Sequence, residues 1–191
     1  MKDIFSHIIK VSSQYSAHHT HLNAAYLDTP LGPMIAIADE TALYLLEFMD
    51  RKAFEQKIIR FLQKTKSKLI TEITKPIGSI REELINYFNG TLKNFKTPIR
   101  YLGSPFQQKV WQALTKISYG KTKSYLRLAE TIGKPTAFRA VAQANSTNPL
   151  AIIVPCHRVI NANGNLGGYA AGITRKKWLL EHEAKITVSA L

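Results

Sequence analysis

The chain has 191 residues, 26 Lys and Arg against 13 Asp and Glu, a formal net charge of +13 and one cysteine. That length suits one domain or two, and 45% hydrophobic with 20% charged residues excludes a disordered chain. A lone cysteine excludes an intramolecular disulfide and any cysteine-cluster zinc or iron–sulfur site.

No apolar run approaches a membrane span, and the opening MKDIFSHIIKVSSQYSAHH lacks the apolar core of a secretory signal. Together with a free thiol, this predicts a reducing cytoplasm. Residues 1–22 match no expected element. His18, His19 and His21 lie there, a cluster read as incidental rather than as a metal site.

In chain order, 24–29, 34–39 and 42–48 are short apolar runs separated by TPLGP and Asp39-Glu40-Thr41, which predicts a small antiparallel sheet. Arg51 to Gln63 places Phe54, Ile58, Ile59 and Leu62 at helical spacing, and Ile77 to Phe88 repeats the pattern. Ser104-Pro105-Phe106-Gln107 has the residues of a capping box with proline in the first turn. Phe106, Val110, Trp111 and Leu114 are its inward face. A helix over 125–132 follows, capped by Ser124 and stopped by Gly133. A third, over 137–145, is expected to be capped by Thr136. Two short helices joined by Gly-Lys-Pro fit a helix-turn-helix. The fold class is therefore mixed α/β, with an N-terminal α/β domain over 1–95, a linker at 96–102 and a mainly helical domain over 103–191.

Charge is uneven. Residues 1–50 hold 2 basic and 6 acidic side chains, 51–100 hold 12 and 4, and 101–191 hold 12 and 3. Such a field attracts polyanions, nucleic acid first among them.

The only thiol sits in Ile152-Ile153-Val154-Pro155-Cys156-His157-Arg158-Val159, read as an apolar strand leading into a proline. A neighbouring imidazole or cation raises the thiolate fraction of a cysteine. On an extended chain, however, adjacent side chains point to opposite faces. Proton transfer from Cys156 to His157 then requires a turn or a bridging water. A buried, inert cysteine is the alternative. Arg175-Lys176-Lys177 reads either as a phosphate contact or as plain solubility, and Trp111 and Trp178 as core.

Asn148-Pro149, PCHRV at 155–159, Asn163-Gly164, Gly168-Tyr169, Lys177-Trp178-Leu179-Leu180 and His182-Glu183 occur in order. With Phe106 to Trp111 and Arg139-Ala140-Val141 upstream, this resembles the O6-alkylguanine-DNA alkyltransferases, also called methylated-DNA–protein-cysteine methyltransferases. The likeness is close over 103–184 and looser over 24–102, where Thr29-Pro30-Leu31-Gly32 carries it. The resemblance implies stoichiometric, irreversible transfer of an alkyl group from the O6 of guanine in DNA, or the O4 of thymine, to Cys156. His157 would take the thiol proton through a water and Glu183 would orient His157. Tyr125 would serve the departing guanine, and Asn148 would tie the thiol turn to the recognition helix. Val159, Tyr169 and Ala170 would line the guanine pocket. Arg139 would fill the vacated base stack, with Thr136, Ala137, Ala140 and Ala144 allowing close approach in the minor groove. Neither cofactor, metal, membrane nor obligate protein partner is implied. Two departures concern fit: Ala142 and Ser146 stand where the family commonly has glycine, and Ala170-Ala171-Gly172 follows the tyrosine in place of Gly-Gly. Two other classes remain as alternatives, a non-catalytic helix-turn-helix DNA-damage binder and a cysteine hydrolase.

Overall fold

The structure, a computed structural model, describes residues 1–15 and 21–188. His18 and His19 lie outside the described residues, whereas His21 opens the first strand. The chain divides into two compact units, Met1–Arg100 and Tyr101–Leu191.

In the first unit β1 (His21–Leu27), β2 (Met34–Ala38), β3 (Leu43–Phe48) and β4 (Lys68–Ile70) form one sheet in the order β3-β2-β1-β4. The first three strands are antiparallel neighbours, as expected. The short β4 runs parallel to β1, which makes the sheet mixed. Every residue of β2 and β3 is buried. Strands covered on both faces read as continuous apolar runs rather than as an alternation. The TPLG turn is closed by Gly32 N–H donating to the Thr29 carbonyl at 2.9 Å. Gly32 sits there at φ 110°, a value that favours glycine.

The residues without an expected element contain a helix, α1 (Lys2–Ser12). Ile8 is 1% exposed. The Ser12 hydroxyl accepts from the Leu69 amide at 2.8 Å, so α1 satisfies an amide of the edge strand β4. The second helix, α2 (Phe54–Thr65), begins three residues later than its periodicity suggests. Arg51 is drawn off by the buried Glu47 carboxylate, which also takes Lys57. The third, α3 (Lys75–Phe88), carries Pro76 in its first turn. Its buried Glu83 accepts from the Lys96 and Thr97 amides. Leu43 donates to the Pro98 carbonyl and accepts from Arg100, which anchors 96–100 to the sheet of this unit.

The second unit contains α4 (Pro105–Leu114), β5 (Lys123–Ser124), α5 (Tyr125–Thr131), α6 (Phe138–Ser146), β6 (Val159–Ile160) and α7 (Ile173–Val188). The capping box of α4 is present in both directions between Ser104 and Gln107. Val110, Trp111 and Leu114 face inward, and Phe106 is half-buried. Ser124 caps α5 by accepting from the Arg127 amide. Gly133, at φ 70°, ends that helix: its amide donates to Glu130 and the Lys134 amide to Ala129. This is the paired closure of a left-handed helix end. Thr136 does not cap α6. A 3-10 turn at Pro135–Ala137 intervenes, and the residue at the cap position is Ala137, with no side-chain cap. Among the described residues no helix is long and apolar enough to cross a membrane.

Candidate active site

The segment before the thiol is not a strand. Leu150 to Val154 makes consecutive tight turns, with Val154 N–H donating to Leu150 and Ile153 N–H to Ala151. Ile152 has φ 70°, a rare value for a β-branched residue. Such strain, typically about 1–3 kcal/mol, persists only where surrounding contacts fix it. Asn148 supplies them. Its Nδ2 donates to the carbonyls of Leu150 at 3.2 Å and Val154 at 2.8 Å, and its Oδ1 accepts from the Leu150 amide at 3.0 Å.

Cys156–Arg158 then forms one 3-10 turn, so the alternation of an extended chain does not apply. Asn148 Nδ2 also reaches Cys156 Sγ at 3.2 Å. The Asn148 amide donates to the Asn145 carbonyl on α6 at 3.3 Å, so Asn148 links the thiol turn to that helix, and Asn145 itself adds a second link. Asn145, buried on α6, donates to the Cys156 carbonyl at 3.4 Å.

His157 and Glu183 are both 0% exposed, and His157 Nε2 lies 2.8 Å from Glu183 Oε1. An ionised carboxylate only accepts, so Nε2 carries the proton and Nδ1 the lone pair. Nδ1 is buried and makes no hydrogen bond to the protein. Burial pushes the imidazole pKa down, Glu183 pulls it up, and Arg158 and Lys176 push it down again. The net direction is downward, which keeps the ring neutral. Burial works against the Glu183 carboxylate, but His157 and Arg158 outweigh it and hold its pKa well below the usual range.

Arg158 holds Glu183 with two nitrogens, Nε to Oε2 at 2.9 Å and Nη2 to Oε1 at 3.0 Å, while Nη1 donates to the Ile117 carbonyl. The Gly120 amide adds a bond to Oε2 at 3.1 Å, and the Arg158 guanidinium lies 5.5 Å from the centre of the Tyr119 ring. Glu183 is thus the hub of a buried network, not a partner of His157 alone.

Tyr125 opens α5 and is half-buried; burial and the charge on Cys156 raise its pKa. Val159 is buried, whereas Tyr169 and Ala170 are half-buried in the loop that leads to α7. On α6, Arg139 and Ala140 are exposed, and Thr136 and Ala137 lie on the preceding 3-10 turn. Ala144 faces the core, with its carbonyl accepting from Trp111 Nε1 at 2.9 Å, so it offers DNA no surface. Phe138, 42% exposed and beside the Arg139 guanidinium, is a neighbour that periodicity did not single out.

The basic triplet at 175–177 divides. Lys176 points inward at 0% exposure, which removes it from any phosphate contact. Arg175 bonds the Ala171 carbonyl, and Lys177 pairs with Glu181 at 3.8 Å on the surface. Trp178 is half-buried and stacks on His182 at 4.7 Å.

Two family models match the chain. Residues 22–101 match the ribonuclease-like domain of 6-O-methylguanine DNA methyltransferase, and residues 105–185 its DNA binding domain. The methylated-DNA–protein-cysteine methyltransferase of Shigella flexneri is 42% identical, covering 81% of this chain and 91% of that one. The protein of that name from Mycobacterium leprae is 41% identical, covering 86% and 94%. A crystal structure of the Mycobacterium tuberculosis protein in complex with DNA superposes with a TM-score of 0.75 at 36% identity, covering 86% of this chain and 94% of that one. With a thiol, a neutral imidazole and a carboxylate buried together in the matched region, the chain belongs to the methylated-DNA–protein-cysteine methyltransferase family.

Proposed function

We infer that this protein repairs DNA by moving the alkyl group of an O6-alkylguanine onto Cys156, once per molecule. One observation carries the reading: Cys156, with Asn148 on its sulfur, shares a single buried turn with a neutral His157 held by Glu183. In the reaction the thiol proton passes through a water to His157 Nδ1. The thiolate attacks the alkyl carbon, an S–C bond forms and the C–O6 bond breaks. The electron pair leaves with guanine as an anion, which Tyr125 neutralises by donating its phenolic proton. Atoms and electrons balance without a cofactor, and the stable thioether ends the reaction.

A base inside a duplex is out of reach, so the nucleotide must be turned out of the stack at a cost of a few kcal/mol. In this reading Arg139, exposed on α6 after the turn of Thr136 and Ala137, fills the gap, and the small exposed Ala140 allows close approach. Approach through the minor groove suits a protein that must not select sequence, because that groove's code is degenerate. The C-terminal domain carries both chemistry and DNA binding. A thiol that must stay reduced fits the cytoplasm.

Active-site titration tests the function. Excess duplex carrying O6-methylguanine should give repaired guanine up to one equivalent of protein and then stop. Continuing turnover would favour the hydrolase alternative. Arg139→Ala should slow transfer from duplex at least about tenfold while leaving transfer from the free modified base near wild type, because only the duplex has a stack to hold open. An equal loss with both substrates would remove Arg139 from the insertion role.

A further inference from the structure

Phe138 opens α6 and stays 42% exposed. A single apolar side chain on a surface is ordinary, but three observations set this one apart. Its ring centre lies 5.5 Å from the guanidinium carbon of Arg139, so the two side chains stand together. It sits at the leading end of α6, where the 3-10 turn of Pro135–Ala137 passes into the helix, while Val141, Ala144 and Asn145 take the buried positions. The chain also carries no Asp or Glu between Glu130 and Glu181. Neither α6 nor the turn before it therefore brings an acidic side chain to this face, and a phosphate backbone can approach it.

We infer that Phe138 is a second inserting side chain: as α6 enters the groove, its ring wedges into the base step beside the gap that Arg139 fills. The inference rests on the reading of this chain as a protein that turns an O6-alkylguanine out of a duplex, and it assigns that step a further residue. Apolar side chains, phenylalanine among them, unstack and kink a step when pushed between bases from the minor groove. Turning a nucleotide out also removes the stacking of its neighbours. Arg139 occupies the vacated place, and an aromatic ring offers the adjoining base a new partner. Every base has a face to stack on, so this contact gains affinity without selecting sequence. That suits a protein whose target is a lesion in any context.

The cation–π contact also allows a lesser role, in which Phe138 only holds the Arg139 guanidinium in place. A double-mutant cycle separates the two, because a residue that acts through Arg139 has no effect once Arg139 is gone.

The test is the second-order rate of transfer from duplex carrying O6-methylguanine and from a free O6-alkylguanine base. Phe138→Ala should slow the duplex reaction by about tenfold, the order of one lost base–aromatic stack. The ring is uncharged, so the factor should be the same at low and moderate salt. The free-base reaction should stay near wild type, which also shows that the variant is folded. Phe138→Leu keeps an apolar wedge and should retain most of the duplex rate. In the Arg139→Ala background, Phe138→Ala should lower the duplex rate again. Wild-type repair of duplex by Phe138→Ala, an equal loss with both substrates, or no further loss in the Arg139→Ala background would each overturn the inference. A 2-aminopurine placed next to the lesion reads the step directly. Its fluorescence should rise on binding of the wild type and of Phe138→Leu, before repair, and stay low with Phe138→Ala. An equal rise with all three would overturn insertion. A wild type that raises the fluorescence but transfers from neither substrate would instead refute the alkyl-transfer reading, with Phe138 still judged by the fluorescence of its variants.

Discussion

Cys156→Ser is expected to abolish alkyl transfer, a loss on the order of a millionfold, as removal of an enzymic nucleophile commonly gives. A serine hydroxyl is a far weaker nucleophile, and a neutral His157 is too weak a base to ionise it. The substitution is otherwise mild. Serine is nearly isosteric and can still accept from Asn148 Nδ2, so the turns from Leu150 to Arg158 keep their anchor. DNA affinity should stay near wild type, because phosphate contacts supply most of the binding free energy. Rate measurements and DNA titration on the same preparation check both halves. Residual transfer would point to another acceptor, and a collapse in affinity would show that the substitution had disturbed the fold.

Glu183→Gln should have the second largest effect, on rate and stability together. The carboxylate accepts from His157, from two nitrogens of Arg158 and from Gly120, all at a fully buried position. A carboxamide presents an N–H₂ to at least one of these donors and leaves the guanidinium uncompensated. Removing one partner of a buried ion pair typically costs about 3–5 kcal/mol. Losing the group that orients His157 should slow transfer by at least about a hundredfold, on duplex and free base alike. Thermal unfolding and transfer rates measure the two effects. A variant that melts and reacts like the wild type would remove Glu183 from the centre of the site.

The same network predicts acid sensitivity. The folded-state pKa of His157 lies below its unfolded value of about 6.5. Below that pH the unfolded chain binds more protons, and stability falls. Glu183, also depressed, loses its contribution as pH drops further, so both groups act in the same direction.

What the sequence disclosed was local. The capping pair Ser104 and Gln107, the stop at Gly133 and the cap Ser124 depend on neighbours within a few residues, and all three stand as read. Cys156, His157 and Glu183 lie in a pattern long enough to carry a family resemblance, and the structure brings His157 Nε2 within 2.8 Å of Glu183 across 26 positions. What was hidden depends on contacts distant in sequence. The three residues of β4 form a strand only because β1 lies beside them, and α1 gains its place by burying Ile8 and holding the Leu69 amide. The apolar run before the thiol resembles a strand, because burial alone selects the same side chains in a sequence of turns; Asn148 decides between them. Lys176 sits in a basic triplet whose composition suggests a surface, and only its three carbonyl partners, on Val159, Leu166 and Gly168, reveal an interior role. Asn145 left no signal, since a polar residue in a short helix looks the same whether it faces solvent or the Cys156 carbonyl.

The central claim is that the alkyl group ends on the sulfur of Cys156. Peptide mass mapping after incubation with duplex DNA containing O6-methylguanine tests it most directly. The account predicts a mass gain of one methylene equivalent, confined to the peptide with Pro155-Cys156-His157, in step with the guanine restored. An unmodified Cys156 peptide alongside repaired DNA, or the added mass on any other peptide, would contradict it.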